Sequence, residues 1–159
     1  VKSVLNPVLT GAADLSAGSR RHPDATVQTH QTYARRYMGD AFAWFARSLL
    51  EQKLYDYQCG IKSMSAEAWE KIRSHLHEPG FAWDIELIGI AGAHNLQIEE
   101  VPINWHDKPG STVSPVTTSL DLVRAVLFAR YRSAQLSGNR LCNILSSICN
   151  DSAPLIDNR

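Results

Sequence analysis

From residue 81 to residue 93 the chain reads Phe-Ala-Trp-Asp-Ile-Glu-Leu-Ile-Gly-Ile-Ala-Gly-Ala, and its only charges there are Asp84 and Glu86. A stretch this apolar has to be buried, and it takes both carboxylates with it. A carboxylate withdrawn from water without a partner is costly, so buried ones are paired, hydrogen-bonded or protonated. Any fold of this chain must therefore bring cations or hydrogen-bond donors to Asp84 and Glu86 from elsewhere. By pattern alone the segment fits a buried strand or a buried helix. Its length and its small Gly and Ala residues favour a closely packed helix.

A second crowded stretch precedes it: Asp56-Tyr57-Gln58-Cys59-Gly60-Ile61-Lys62 places a carboxylate, an amide, a glycine and a lysine within seven positions, with apolar chain on both sides. Such crowding suggests a site. The whole chain has 16 basic and 16 acidic residues. That balance gives no global field for nucleic acid or an anionic membrane, so phosphate recognition has to come from a local cluster. The arginines gather at Gly18-Ser19-Arg20-Arg21 and at Arg35-Arg36. A planar guanidinium fork binds phosphate oxygens in pairs. The alternative reading is two unrelated solvated pairs.

The 159 residues suffice for one domain with a sizeable core, and 44% hydrophobic with 20% charged residues is ordinary for a globular chain. Three cysteines, Cys59, Cys142 and Cys149, without a C-x-x-C fit reduced thiols in a cytosolic compartment better than a disulfide frame or a zinc site. No signal peptide is visible, and no apolar run approaches the roughly 18 to 20 residues of a membrane span. The chain opens at Val1, directly in what reads as the interior of a domain, which suggests part of a longer protein.

In chain order, residues 1–11 read as the end of a helix closed by Gly11. Residues 12–18 read as a short strand running into the Gly-Ser-Arg-Arg turn, where glycine would let the backbone approach a ligand. Residues 22–32 read as a loop. Tyr33, Tyr37, Met38, Ala41, Phe42, Phe45 and Leu49 make one apolar stripe of a helix over 31–50. Ser65 is the expected N-cap of a helix over 66–76 with Trp69, Ile72 and Leu76 inward. Residues 97–105 alternate as a strand, with Pro102 pushing it to a sheet edge or bulge. Residues 106–115 read as a loop. Thr118-Ser119-Leu120-Asp121 resembles a capping box opening a helix to Ala134, whose Arg124, Arg130 and Arg132 lie off the apolar stripe and are expected on a solvated face, the alternative being contact with lipid headgroups. Residues 137–159 are expected to be a weakly ordered tail. No histidine spacing supports a metal site, His75-x-His77 included.

Together, Gly18-Ser19-Arg20-Arg21, Arg35-Arg36, the 56–62 run, the 81–87 run, Glu100-Val101-Pro102-Ile103-Asn104-Trp105 and Gly110-Ser111 resemble the family 2 glycosyltransferases. Within them the similarity is to the dolichyl-phosphate mannose synthase and dolichyl-phosphate glucosyltransferase branch, and it covers residues 12–132 in order. The resemblance implies an α/β chain forming the acceptor-side half of a GT-A (nucleotide-diphospho-sugar transferase-like) fold over residues 1–136. It implies transfer of a hexose from an NDP-sugar to a polyprenyl, dolichyl-type phosphate with inversion. It also implies peripheral contact with the cytosolic face of a membrane through the lipid substrate, and no nucleic-acid partner.

That family holds Mg²⁺ or Mn²⁺ with an Asp-x-Asp motif. This sequence contains none, so the metal ligands are expected outside the chain, and the 159 residues alone are expected to be inactive or nearly so. By the same resemblance, Arg20, Arg21, Arg35, Arg36 and Lys62 are expected to grip the acceptor phosphate. Gln58, Gly60, Asp84, His106 and Ser111 are expected around the sugar and diphosphate, and Asp56 and Glu86 are the catalytic candidates. Asp56 has the alternative role of orienting an arginine, Lys62 that of a plain strand-end lysine, and Glu86 that of a structural ion pair with Arg20, Arg35 or Arg36. The rivals are a non-catalytic phosphate- or lipid-headgroup-binding module, an interaction domain, and a transferase with a polysaccharide acceptor.

Overall fold

The computed structural model describes residues 1–28, 33–80, 82–106, 115–137 and 154–155. The chain is a mixed α/β structure. Its central strand, β1 (Leu15–Ser19), lies between β3 (Lys62–Met64), antiparallel, and β4 (Ile98–Pro102), parallel. All five residues of β1 are buried, which is why it consists of small and aliphatic residues. Of its two buried hydroxyls, Ser16 Oγ donates to the Val4 carbonyl at 2.7 Å. Val4 belongs to α1 (Lys2–Leu9), which ends, as expected, near Gly11 in the left-handed region at φ 71°.

Trp83–Ala93 is a helix, α4, and apart from Asp84 and Glu86 it is apolar on every side because residues 84–92 are all buried. Leu87, Ile90 and Ala91 pack with Leu15 and Ala17 of β1 and with Ala68 and Ile72 of α3 (Ala66–Ile72). Ile85 and Ile88 pack with Ala46 of α2 (Tyr33–Leu49) and with Val126 and Ala129 of α5 (Pro115–Leu136). Gly89 brings α4 and α5 close together, since a Cβ there would sit 3.3 Å from that of Ala129.

Several expectations need correction. Residues 26–28 form a short strand, β2 (Thr26–Gln28), paired in parallel with β5 (Asn104–His106). Three residues are too few for an alternation to show beside Pro23 and Asp24. In α2 the apolar residues do not make one stripe: Phe42, Phe45 and Leu49 meet the core, whereas Tyr37 and Met38 are exposed. Trp69 on α3 is exposed, because Ala68 and Ile72, one turn apart, define the buried side. The expected cap of α3 is present, with Ser65 Oγ accepting from the Ala68 amide at 3.1 Å. The helix gives way to a 3₁₀ turn at Arg73–His75. Helix α5 starts at Pro115, a residue well suited to a first helical turn, so the Thr118 to Asp121 pattern lies inside the helix. The tail over 137–159 falls outside the described residues apart from Ser137, Pro154 and Leu155. No helix among the described residues is long and apolar enough to cross a membrane.

Pro102 closes β4 on the outer edge of the sheet, where its missing N–H costs no ladder bond. Gly18 serves close packing rather than ligand approach. A Cβ there would meet Ile103 Cγ2 at 3.2 Å, Cys59 Sγ at 3.3 Å and the Ile61 carbonyl oxygen at 3.3 Å. Gly18→Ala is expected to cost about 1–3 kcal/mol by overpacking, read as a lower urea midpoint at unchanged slope.

Candidate functional site

Strands β1 and β4 run in the same direction, so their carboxyl ends share one edge of the sheet. In open α/β sheets that edge is where ligands sit. Here β1 continues into Arg20 and Arg21, and β4 continues through Ile103 into Asn104 and Trp105. Ser19 turns the chain over this edge, its hydroxyl accepting from the amides of Arg21 (3.3 Å) and His22 (2.9 Å).

Arg20 is held in a two-bond fork by Asp56. Its Nε donates to Oδ2 at 2.7 Å, its Nη2 to Oδ1 at 3.1 Å, and its backbone amide to Oδ2 at 3.2 Å. The Gln58 amide adds a donor to Oδ1 at 3.1 Å. The Asp56 side chain is 2% exposed and that of Arg20 33%, so the carboxylate is interior while the guanidinium reaches the surface. Burial pushes the Asp56 pKa up, but the Arg20 hydrogen bond and charge, with the Arg20 and Gln58 amides, outweigh it and hold the group below 3.8. Such a carboxylate is a poor proton acceptor and a good anchor. The Trp105 ring centroid lies 6.0 Å from the guanidinium carbon.

Beneath this pair is a residue to which sequence reasoning assigned no role. Glu100 of β4 accepts from the Asp56 amide at 2.7 Å and from the Tyr55 amide at 2.9 and 2.7 Å. It fixes the start of the 56–62 stretch against the sheet. Two adjacent charges, Glu99 and Glu100, in the middle of the strand were the available signal.

Arg21 ion-pairs with Asp40 of α2 and lies against Gly39, where its guanidinium leaves no room for a Cβ. The β1 turn is thereby tied to α2 one helical turn beyond Arg35 and Arg36, a rise of about 6 Å. The side chains of Arg35, Arg36 and His106 lie outside the described residues, as does Ser111 altogether.

Lys62 and Asp84, expected on different parts of a ligand, meet each other. Lys62 Nζ donates to Asp84 Oδ1 at 2.6 Å and to the Cys59 carbonyl at 2.6 Å, with side chains 6% and 10% exposed. Gln58 is half-buried beside this brace and Gly60 is exposed, with nothing within 4 Å of a Cβ placed there. Burial pushes the Cys59 thiol pKa up.

Glu86 takes part in a different network. It accepts from the amides of His77 (2.8 Å) and Glu78 (2.7 Å) and pairs with Arg132 of α5. An ion pair was among the expectations for Glu86, but with Arg20, Arg35 or Arg36; its partner is Arg132, which is not on a solvated face. The reason is helical geometry: residues two apart point to nearly opposite sides of a helix, so Asp84 faces β3 and Glu86 faces α5.

The His75 and His94 rings lie 5.1 Å apart, and His94 Nε2 is buried without a hydrogen-bond partner. Burial lowers the His94 pKa, with His75 and Lys71 adding to the shift. No group of three or more His, Cys, Asp or Glu side chains that could hold a metal ion occurs among the described residues.

The chain is 31% identical over 118 residues to a dolichyl-phosphate beta-glucosyltransferase of Mus musculus, an alignment covering 74% of this chain and 36% of the relative. The protein of the same description from Homo sapiens is 30% identical over 118 residues, with 74% and 36% covered. That from Dictyostelium discoideum is 26% identical over 133 residues, with 83% and 41% covered. The chain thus spans less than half the length of these curated relatives. No family model matches it, and no solved structure matches it.

Proposed function

We propose that this chain, which belongs to the family 2 glycosyltransferases in their dolichyl-phosphate glucosyltransferase-like branch, forms the acceptor side of a GT-A site. That site moves a hexose from an NDP-sugar to a polyprenyl, dolichyl-type phosphate with inversion. An acceptor phosphate oxygen is already ionised at neutral pH. It attacks the anomeric carbon as the bond from that carbon to the nucleoside diphosphate breaks, and the diphosphate leaves with the electron pair. No strong general base is required, so catalysis is positioning plus electrostatics.

The observation that carries this reading is the Arg20–Asp56 fork at the carboxyl end of β1. Asp56 is a positioning residue that fixes the plane of the guanidinium, and Arg20 receives the acceptor phosphate. Arg21 ties α2 to this turn, and Arg35 and Arg36 add charge from the first turn of that helix. Gln58 and Gly60 border the sugar, with Lys62 and Asp84 bracing the stretch that carries them. His106 and Ser111 contact the diphosphate. In the complete enzyme a bound Mg²⁺ or Mn²⁺ would offset the charge of the leaving diphosphate, with its ligands expected outside these 159 residues. The reaction takes place at the cytosolic face of a membrane, where the lipid substrate resides.

Farnesyl phosphate, a short soluble polyprenyl phosphate, tests the acceptor site by titration calorimetry. Arg20→Ala is expected to weaken binding at least about tenfold, the value of one charge-assisted hydrogen bond. Arg20→Lys restores only part, because an ammonium lacks the fork. Unchanged affinity in Arg20→Ala, or equal affinity for farnesol, overturns the reading. Incubated with Mn²⁺, an NDP-hexose and the same acceptor, the 159-residue polypeptide is expected to show no transfer.

A further inference from the structure

The outward side of α2 is apolar as well as its inward side. Tyr37, Ala41, Trp44 and Ser48 follow one another at four, three and four residues and so share one face. Tyr37 is 72% and Trp44 70% exposed, and Met38 borders them, while Ala46 and Leu50 on the opposite side are in the core. A helix with two apolar sides needs a second partner for the outer one.

The charge carried by this helix points to the partner's chemistry. The sequence of α2 holds three arginines, at positions 35, 36 and 47, against one acidic residue, Asp40, and Asp40 is paired with Arg21. Arg47 extends along the flank, its Nε donating to the Leu54 carbonyl at 3.1 Å and its guanidinium 4.5 Å from the Tyr55 ring centroid. Tyr and Trp, with apolar bodies and polar tips, are the residues of a membrane interface, and a helix with an excess of arginine complements anionic headgroups. The face is also continuous with the proposed acceptor site, because Arg21 joins α2 to the turn that holds Arg20.

We infer that α2 lies in the interface of an anionic bilayer, with Tyr37, Met38 and Trp44 entering the boundary between headgroups and acyl chains. The choice of a bilayer as the occupant rests on the acceptor reading above, since a polyprenyl phosphate presents its phosphate at that depth. In this orientation the protein docks through its own side chains, independently of bound substrate, and sets Arg20 at headgroup height.

The test is flotation of the 159-residue chain with vesicles of phosphatidylcholine alone or mixed with phosphatidylserine. Binding is expected to the mixed vesicles and to weaken with salt. The double variant Tyr37→Ser/Trp44→Ser should lower partitioning by at least about tenfold, as loss of two buried aromatic groups requires. Trp69→Ser, which removes an exposed aromatic from α3, should leave it unchanged, and the double variant should keep its affinity for farnesyl phosphate in solution. The inference is overturned if the wild-type chain floats with neither vesicle, or if Trp69→Ser loses as much as the double variant. It is equally overturned if the double variant abolishes self-association in light scattering while neither protein floats, which would make the face an interface between copies. Vesicle binding as expected without any farnesyl phosphate binding would sink the acceptor site and leave the docking face standing.

Discussion

Asp56→Ala is expected to lose about 3 kcal/mol of stability at neutral pH, near the lower end of what breaking a buried ion pair costs. The lower end applies because Arg20, a third exposed, can turn its guanidinium to water once released. What cannot be relieved is the loss of an acceptor by the Arg20 and Gln58 amides, which the carboxylate now satisfies. Urea titrations of wild type and variant measure the difference, and a cost below about 1 kcal/mol would contradict an interior anchor. The pH dependence gives an independent check. Because the folded-state pKa lies below the ordinary 3.8, the wild-type carboxylate contributes fully above that value. Its contribution disappears as pH falls from there through the folded pKa, since the unfolded chain takes up the proton first. The gap between wild type and Asp56→Ala should therefore be constant from pH 7 to about 5 and shrink below about 4. The variant should also bind farnesyl phosphate more weakly than its remaining folded fraction accounts for, because Arg20 loses its fixed plane.

How much of this was legible beforehand follows from what a linear pattern encodes. The apolar run at 81–93 stated a demand, that two buried carboxylates must find partners, and the structure meets it. It could not name the partners, because that depends on the helix or strand choice. In a strand, Asp84 and Glu86 would share a face and a site; in α4 they are directed to Lys62 on one side and Arg132 on the other. The strand entering Arg20 was legible from Gly-Ser-Arg-Arg, and the Ser65 cap from its position before an apolar run. The fork itself joins residues 36 apart, a long-range contact for which no local pattern exists. The outer face of α2 was hidden for a different reason. Steps of three and four accumulate around a helix, so a chain of such steps from Tyr37 to Leu49 crosses from one side to the other and hides the second stripe. Trp44, outside that chain of steps, was the residue that marked it.

The brace between Lys62 and Asp84 yields the second large effect. Either Asp84→Ala or Lys62→Met alone should cost about 3–5 kcal/mol, because each strands a nearly unexposed charge opposite. The double variant Lys62→Met/Asp84→Leu should recover to within about 1 kcal/mol of wild type, since apolar groups of similar volume replace a buried ion pair at little cost. The remaining deficit is the hydrogen bond that Lys62 gives to the Cys59 carbonyl. A thermodynamic cycle from urea midpoints would then show a coupling of several kcal/mol between positions 62 and 84. The same proteins decide whether Lys62 supports the site or contacts its ligand. With Nζ already donating to two oxygens, it is expected to support it, and the double variant should bind farnesyl phosphate within about threefold of wild type while Arg20→Ala does not. A double variant that regains stability yet loses the phosphate would place the Lys62 charge in direct contact with the acceptor. Asp84 would then be the group holding that ammonium ready, as Asp56 holds the Arg20 guanidinium.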